Sequence, residues 1–221
     1  MKKFFTLIAA TFVAVCASAQ VISFSETAAK GSLDGKTFGG DGFVLTVNDP
    51  KGEKVEIDAN SQYFGTAEEY QNFKFRLKTN GKSSSNNSLS LTVPSEGTLK
   101  IYARSGSGSE ARPIVLTQDG TEIFNQNFDD ADAITTDIQG EQKKVFPVYT
   151  VEVKAGTIAI TYPTNTVGFY AFELVKAGEE TAIKNVSTTA NDKMFDLNGR
   201  QIKSVPATGV YVKGGKKYIV K

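Results

Sequence analysis

The sequence predicts an all-β fold, a jelly-roll-like antiparallel β-sandwich followed by a small C-terminal β unit. Apolar and polar residues alternate in many short runs, which is typical of strands that bury one face and leave the other in water. Turn signals such as Asn80-Gly81 and Asp119-Gly120 separate these runs. Helical patterns are scarce, and the best of them, Thr66 to Tyr70, covers at most a turn or two. Many short strands divided by turns favour a sandwich or jelly roll.

The alternation places the strands of the sandwich in order along the chain. Each run has apolar side chains at every second position, so each predicts one face toward a core and one toward solvent. The last strong strand is Phe169 to Val175, and Lys176 ends it. The alternating runs before it are Phe43 to Val47, Val55 to Ala59, Phe73 to Leu77, Leu89 to Val93, Leu99 to Ala103, Tyr149 to Val153 and Ile158 to Tyr162.

The first nineteen residues have the three parts of a secretory signal peptide. A basic start, Met1-Lys2-Lys3, precedes an apolar run at residues 4–14, and Ala17-Ser18-Ala19 is a small-residue cleavage site. We therefore expect residues 1–19 to be removed and the protein to be secreted or displayed at the cell surface. A lipoprotein cut before Cys16 is the less favoured alternative, because Val15 stands where that processing site prefers a small residue.

Composition excludes several classes of chemistry. The chain has no histidine, and its one cysteine, Cys16, lies in the signal peptide. Ser-His-Asp and Cys-His catalysis, disulfides and the usual zinc sites are therefore excluded from the mature chain. Loss of Lys2 and Lys3 lowers the 25 Lys and Arg to 23 against 24 Asp and Glu, a net charge of −1. No basic field argues for a nucleic-acid partner.

The sequence divides into a large domain, a linker and a short tail. Residues 20–176 contain the alternating runs and are predicted to form the sandwich, whereas residues 177–191 are polar, rich in Thr and Asn, and read as a linker. Residues 192–221 form the second unit, in which Asn198-Gly199 signals a hairpin.

The motifs of this tail are its most specific feature. It reads MFDLNGRQI at residues 194–202, GVYV at 209–212 and GGKKYIVK at 214–221. Their order resembles the C-terminal sorting tails of secreted Bacteroidetes proteins, which are β-rich and, in type IX secretion, are read by the export machinery. The resemblance implies that residues 192–221 contact the secretion machinery. The alternative is a pair of hairpins that finishes the domain.

The main domain is similar to a second family. The resemblance rests on three segments, which are SLSLTVPSEGTLKIYARSGS at residues 88–107, Asp119-Gly120-Thr121, and GFYAFEL at residues 168–174. They are similar to the β-sandwich modules attached to secreted Bacteroidetes pectate lyases and related polysaccharide enzymes. Such modules look like carbohydrate-binding jelly rolls, so the resemblance implies polysaccharide binding. The helix or barrel that performs catalysis in those enzymes has no counterpart here.

One strand carries the leading candidate site. Lys100, Tyr102 and Arg104 share its polar face, opposite three apolar residues. A tyrosine ring can stack on a sugar, and an arginine fork can bind a uronate carboxylate. Arg76, on another alternating strand, would extend a basic strip if the two strands are neighbours. This face predicts contacts to an acidic glycan such as pectin, with a solvated sheet face as the alternative.

Two other segments are candidates for glycan contacts. Tyr63 and Tyr70 lie in a turn-rich segment that is the best candidate for an aromatic platform in a chain without tryptophan. The alternative there is packing at one end of the sandwich. The Gly- and Ser-rich loop that ends at Arg112 fits a mobile loop at a sandwich end, where ligand sites often lie.

Metal and catalytic signals are weaker. Asp41 and Asp49 are oxygen donors near early turns and are candidate ligands of a structural Ca²⁺, although no EF-hand spacing is present. No other cofactor is expected. Adjacent carboxylate pairs such as Glu68-Glu69 do not suit glycoside hydrolysis, because neighbouring strand residues point to opposite faces.

These observations favour a secreted or surface-displayed, non-catalytic protein that binds a polysaccharide or surface glycan through aromatic stacking and Arg or Lys contacts. Two alternatives from other classes stay open at this point. One is a structural or adhesive surface protein with a protein partner, and the other is a small polysaccharide lyase or hydrolase.

Overall fold

The computed structural model describes residues 19–25 and 32–177, together with the backbone of four short strands between residues 194 and 220. Residues 1–18 of the predicted signal peptide and most of the predicted linker lie outside the described residues. The chain divides into two compact units, Met1–Glu180 and Thr181–Lys221, which are described separately. Within the described part of the chain, no helix is long and apolar enough to cross a membrane.

Fourteen strands are described in the first unit, and a short 3-10 turn, Asp130–Asp132, lies between the ninth and tenth. The strands are β1 (Gln20–Ser23), β2 (Thr37–Gly40), β3 (Phe43–Asn48), β4 (Val55–Gly65), β5 (Tyr70–Thr79), β6 (Ser88–Val93), β7 (Gly97–Ser105), β8 (Arg112–Gln118), β9 (Thr121–Phe128), β10 (Ile134–Ile138), β11 (Glu141–Phe146), β12 (Tyr149–Val153), β13 (Gly156–Thr161) and β14 (Val167–Lys176).

These strands form two sheets, and the predicted all-β sandwich is confirmed. Sheet A has eight strands in the order β10-β11-β4-β5-β14-β7-β12, and β1 pairs with β14 off this path. Sheet B has six strands in the order β2-β3-β6-β13-β8-β9. The pairings are antiparallel except between β4 and β11, which run parallel, so sheet A is mixed.

The core of the sandwich is built from the residues that the alternation assigns to it. Leu99, Ile101 and Ala103 of β7 are buried in one apolar cluster with Leu89 and Leu91 of β6, in the other sheet. The polar residues between them point the other way, as pleated strands require. Burial of this cluster removes apolar surface from water and stabilises the fold.

A second, smaller cluster lies on the opposite face of sheet A, and it is called the outer cluster here. Tyr102 belongs to it, although its neighbours Ile101 and Ala103 face the core, so the cluster must lie on the outer face of the sheet. Its buried members are Phe64, Tyr102, Phe146, Tyr170 and Ala171, with Phe73, Ala133 and Val148 packed against them.

Because of a β-bulge, β14 contributes buried side chains to both the core and the outer cluster. The register with β7 shifts between Phe169 and Ala171, which makes Tyr170 the extra residue. Phe169 and Phe172 therefore both face the core, whereas Tyr170 and Ala171 both belong to the outer cluster.

One local prediction was wrong. Residues Thr66 to Tyr70 form the tight turn between β4 and β5 rather than a helical turn: Thr66 N donates to Glu69 O at 2.8 Å, and Gly65 pairs with Tyr70 across the hairpin. Gly65 has φ +137°, and a Cβ there would collide with the Glu69 carbonyl oxygen. Glycine is therefore required where this hairpin closes.

The second unit is a four-stranded antiparallel sheet. Its strands are β15 (Met194–Asp196), β16 (Gln201–Ile202), β17 (Gly209–Lys213) and β18 (Lys216–Val220), in the order β16-β15-β17-β18. The hairpin signal Asn198-Gly199 falls between β15 and β16, which pair antiparallel.

Candidate functional site

A groove of about 430 Å³ opens on the outer face of sheet A, and we call it the outer groove. Residues 64–66 and 69–71, at the β4–β5 turn, line one side of it. Lys100 and Tyr102 of β7, with Val148 and Thr150 at β12, line the rest. Three of the predicted glycan-binding residues, Tyr70, Lys100 and Tyr102, are thus brought together here.

Glu173 of β14 fixes two of these residues. Its side chain is 12% exposed, and its two oxygens accept separate hydrogen bonds: from Lys100 Nζ at 2.8 Å and from Tyr102 Oη at 2.6 Å. A charge-assisted pair of this kind holds both donors in one geometry. Lys100 stays 35% exposed and reaches the groove, whereas Tyr102 is buried, with 3% of its surface exposed.

Tyr102 therefore forms part of the floor of the groove and is not the exposed stacking platform that its polar-face position suggested. Its ring packs on Phe73 at 5.1 Å and on Phe64 at 6.0 Å. Burial, reinforced by the hydrogen bond to Glu173, raises the pKa of the Tyr102 hydroxyl well above its usual range. The phenol stays protonated at neutral pH and acts as a donor to Glu173.

Tyr70 is the exposed aromatic residue of the outer groove. It is 38% exposed and begins β5 directly after the closing turn. Tyr63 packs edge-to-face against it, with ring centroids 5.7 Å apart. The predicted aromatic pair is therefore in contact, but of the two residues only Tyr70 belongs to the groove lining.

Arg104 lies on the same face of β7 but does not line the outer groove. Its Nη2 atom donates to both carboxylate oxygens of Asp130, at 2.8 and 2.7 Å, and its guanidinium carbon is 4.7 Å from the centre of the Phe146 ring. The contacts with Asp130 and Phe146 fix the position of the Arg104 guanidinium. The expected free fork for a uronate carboxylate is absent at Arg104.

Arg76 does not form a basic strip with β7, because β14 lies between β5 and β7. Its Nε and Nη2 atoms donate to Asp58 on β4, at 2.7 and 2.9 Å. This bidentate pair neutralises Arg76 across the β4–β5 hairpin and raises the pKa of its guanidinium further. The basic strip predicted from alternation alone is wrong.

Arg112 has a structural role at the start of β8. It is buried, and Nη1 donates to the Thr166 carbonyl at 2.6 Å while Nη2 donates to Glu110 at 3.2 Å. These contacts tie its loop to the chain just before β14, and Arg112 does not line the outer groove.

The two candidate calcium ligands have different environments. Asp49 is fully buried and accepts from the backbone N–H groups of Glu53, Lys54 and Val55, at 3.4, 2.8 and 2.9 Å. Asp41 is exposed in the turn after β2, where its carbonyl oxygen accepts from Gln20. Within the described residues, no group of three or more Asp, Glu, His or Cys side chains is arranged to hold a metal. The calcium site stays a prediction.

Sequence reasoning missed Glu173, Thr150 and Glu69. A signal for Glu173 was available, because it is the one charged residue in the apolar run GFYAFEL, and a carboxylate in such a run needs a partner. Thr150 reaches the groove because β12 pairs with β7, with Thr150 opposite Lys100, and the sequence does not state that pairing.

Comparison with known proteins gives weak structural likenesses only. No protein-family model and no curated protein matches the sequence. A solved chain from work on the Ruminococcus flavefaciens cellulosome and its expansion in glycan recognition is 14% identical, covering 73% of this chain and 96% of that one, with a TM-score of 0.37. The catalytic domain of a GH87 α-1,3-glucanase in complex with nigerose is 8% identical, covering 61% of this chain but 28% of that one, with a TM-score of 0.32. These values are too low to support an inference about the ligand of the groove.

We predict that Asp49→Ala destabilises the fold by about 3 kcal/mol, because three backbone donors lose a charged acceptor. Urea unfolding of the full chain measures the loss, and Asp49→Asn, which keeps one oxygen, should lose less. Repeating the unfolding with Ca²⁺ and with EDTA tests the metal prediction. A wild-type midpoint that rises with Ca²⁺ would show that carboxylates here serve an ion.

We also predict that stability falls as the pH rises above about 10, the usual tyrosine pKa. Burial raises the pKa of Tyr149 and of Tyr170 to about 12 and that of Tyr102 further. A group whose pKa is higher in the folded state stabilises the fold fully at pH values below its unfolded-state pKa. That stabilisation is lost as the pH rises toward its folded-state pKa. Urea unfolding between pH 9 and pH 11.5 measures this decline.

Tyr102→Phe isolates the contribution of one hydroxyl to that decline. The variant should be less stable by about 1–2 kcal/mol at neutral pH, because Glu173 loses a donor, and its stability should fall less steeply above pH 10. Identical slopes for the wild type and Tyr102→Phe would contradict this account.

Proposed function

We propose that the protein binds a neutral glycan in the outer groove without chemically changing it. The observation that supports this most directly is the exposed residue Tyr70 in the lining of a groove whose Lys100 is held in place by Glu173. Recognition of a sugar needs an apolar surface for the C–H face of the ring and fixed polar groups for its hydroxyls. The outer groove offers both.

The dimensions and lining of the groove suit a small polar ligand. Its volume of about 430 Å³ lies within the range of roughly 300–1,000 Å³ typical of ligand sites. Thr66, Gln71 and Thr150 are exposed along it and bring neutral donors and acceptors. Hydroxyl and amide groups of this kind match sugar hydroxyls without selecting for charge.

The charges favour a neutral glycan over the acidic one that the sequence suggested. Lys100 is the basic residue of the groove lining, and Glu173 neutralises it, while Glu69 adds an exposed carboxylate. Arg76, Arg104 and Arg112 each have a carboxylate partner of their own. A uronate would meet no unpaired cation among these candidates and would face Glu69.

The proposed mechanism relies on preorganisation. Tyr63 supports the Tyr70 ring, and the Gly65 turn fixes where β5 begins, so the stacking surface exists before binding. Glu173 restrains Lys100 in the same way. Because these groups are already ordered, binding costs less conformational entropy.

A structural or adhesive role is the second candidate function. β9 and β12 are terminal strands of their sheets, and terminal strands present backbone groups that can pair with another chain. Catalysis has no comparable support: Glu173 is engaged by two donors, and Glu69 is a single exposed carboxylate.

Export belongs to the proposal as well. Residues 1–19 would direct secretion and residues 192–221 would act as a sorting tail, on the strength of their sequence patterns. A β-rich tail is the form that such a signal takes, and β15 to β18 are consistent with it.

We predict that Tyr70→Ala weakens glycan binding about tenfold or more, because the stacking surface is lost, whereas Tyr70→Phe retains most of it. The full chain is titrated by calorimetry against soluble glucan, mannan, xylan and galactan, with polygalacturonate and alginate as acidic counterparts. Release of reducing ends is followed in the same samples. Ile134→Ala, an exposed apolar change outside the groove, is the matched control.

Three outcomes would contradict the proposed function. Equal affinity in the wild type and Tyr70→Ala removes the outer groove as the site. Stronger binding to polygalacturonate than to every neutral glycan reverses the charge argument. Release of products makes the protein an enzyme.

We further predict that deletion of residues 192–221 reduces delivery to the cell surface in the native host. Surface labelling with an antibody against the first unit measures the delivered fraction, and a whole-cell blot measures total protein. Normal surface levels of the truncated chain would show that the tail is not a sorting signal.

A further inference from the structure

We infer that the binding site continues around β12 into a second groove, so that the protein takes an internal stretch of a glycan chain rather than a chain end. This inference rests on the proposed function of the outer groove. It adds a second set of contacts and a preference for length, neither of which follows from the outer groove alone.

The second groove, which we call the edge groove, has a volume of about 670 Å³ and lies between the last strands of the two sheets. β9 of sheet B lines one wall with residues 122–126, and residues 148–151 at β12 of sheet A line the other. It is the larger of the two grooves.

The lining of the edge groove has the chemistry of a sugar site. Asn125 and Gln126 are exposed amides, and Asn125 Nδ2 donates to Glu122 at 3.1 Å, which orients that amide. Val151 is half-buried beside them. Asn125 and Gln126 are adjacent on β9, so their side chains extend to opposite faces of the strand, and each amide can donate to and accept from a sugar hydroxyl on its own side.

Tyr149 fixes the width of the edge groove. It extends from β12 toward β9, where its ring lies 4.4 Å from that of Phe128, and its hydroxyl donates to Asn127 O at 3.4 Å and to Asp132 Oδ2 at 3.1 Å. These contacts hold the terminal strands β9 and β12 at a fixed distance from each other. The edge groove is a preformed feature, as the outer groove is.

The two grooves meet at β12. Val148 and Thr150 line both of them, so an occupant of one groove can pass into the other over these two side chains. The rim that they share has a hydroxyl and a small apolar group and no charge. A chain that continues beyond the outer groove therefore has a continuous path, which a chain end would leave unused.

A glycan fits the edge groove better than an added β-strand does. The register between β8 and β9 shifts so that Glu122 and Phe124 oppose adjacent residues, which leaves Ile123 as a bulge within the groove wall. A bulge interrupts the regular spacing of backbone groups that strand addition requires, and edge strands use it to prevent such pairing.

The test uses the full chain and oligosaccharides, from disaccharide to octasaccharide, made from the neutral polysaccharide that binds best. Calorimetry should show an octasaccharide affinity about tenfold or more above that of the disaccharide, the gain expected from a few added hydrogen bonds. The double variant Asn125→Ala/Gln126→Ala should remove most of that gain and leave disaccharide affinity within about twofold. Asn127→Ala, an exposed amide on β9 outside the groove lining, should keep the gain.

The remaining outcomes separate the two proposals. Binding that does not depend on length, or a gain that survives in the double variant, overturns the extended site and leaves the outer groove intact. Failure of every glycan to bind overturns the proposed function and this inference with it. A dimer in sedimentation of the unliganded chain that the double variant dissociates would assign the edge groove to a second copy and overturn the inference.

Discussion

The bulge at Tyr170 is the constraint on which the outer groove depends. In an unbroken strand, Phe169, Ala171 and Glu173 would share one face, and the carboxylate would enter the sandwich core at a cost of several kcal/mol. The extra residue reverses the alternation, so Phe172 and Leu174 join Phe169 in the core and Glu173 turns outward beside Lys100. One inserted residue therefore completes the core and creates the anion that organises the groove floor.

Pairing of charges explains why a protein with many surface cations has a groove suited to a neutral ligand. Arg76 and Arg104 are each held by a carboxylate on a neighbouring element of the fold, and little of either side chain is exposed. Breaking such a pair to bind a uronate would leave a partly buried carboxylate without its partner, so the exchange gains little. The arginines of the outer face thus join elements of the fold, and the ligand contacts that we propose come from hydroxyls, amides and one tyrosine.

The sequence predicts which residues of each strand face the core, but it does not predict which strands pair with one another. Alternation assigns Leu99 and Ile101 to the core and Tyr102 to the other face, and the structure agrees, because that assignment depends on the local pleat alone. Whether Tyr102 is then exposed depends on what covers the outer face, and Phe64 and Phe146 reach it from β4 and β11, distant in sequence. The basic strip was wrong for the same reason: β14 separates the two strands, and no local pattern contains that information.

β12 is the strand where the stability of the sheet edge and the proposed glycan recognition coincide. It has five residues, pairs with β7 alone in its sheet, and is held against β9 of the other sheet by Tyr149. A short terminal strand is an element expected to open before the core does. A ligand that lies across Thr150 and contacts both grooves would bind only when β12 is in place, so binding and the closed edge must stabilise each other by linkage. The tyrosine that joins the two sheets is then also a determinant of affinity, although it need not contact the sugar in the outer groove.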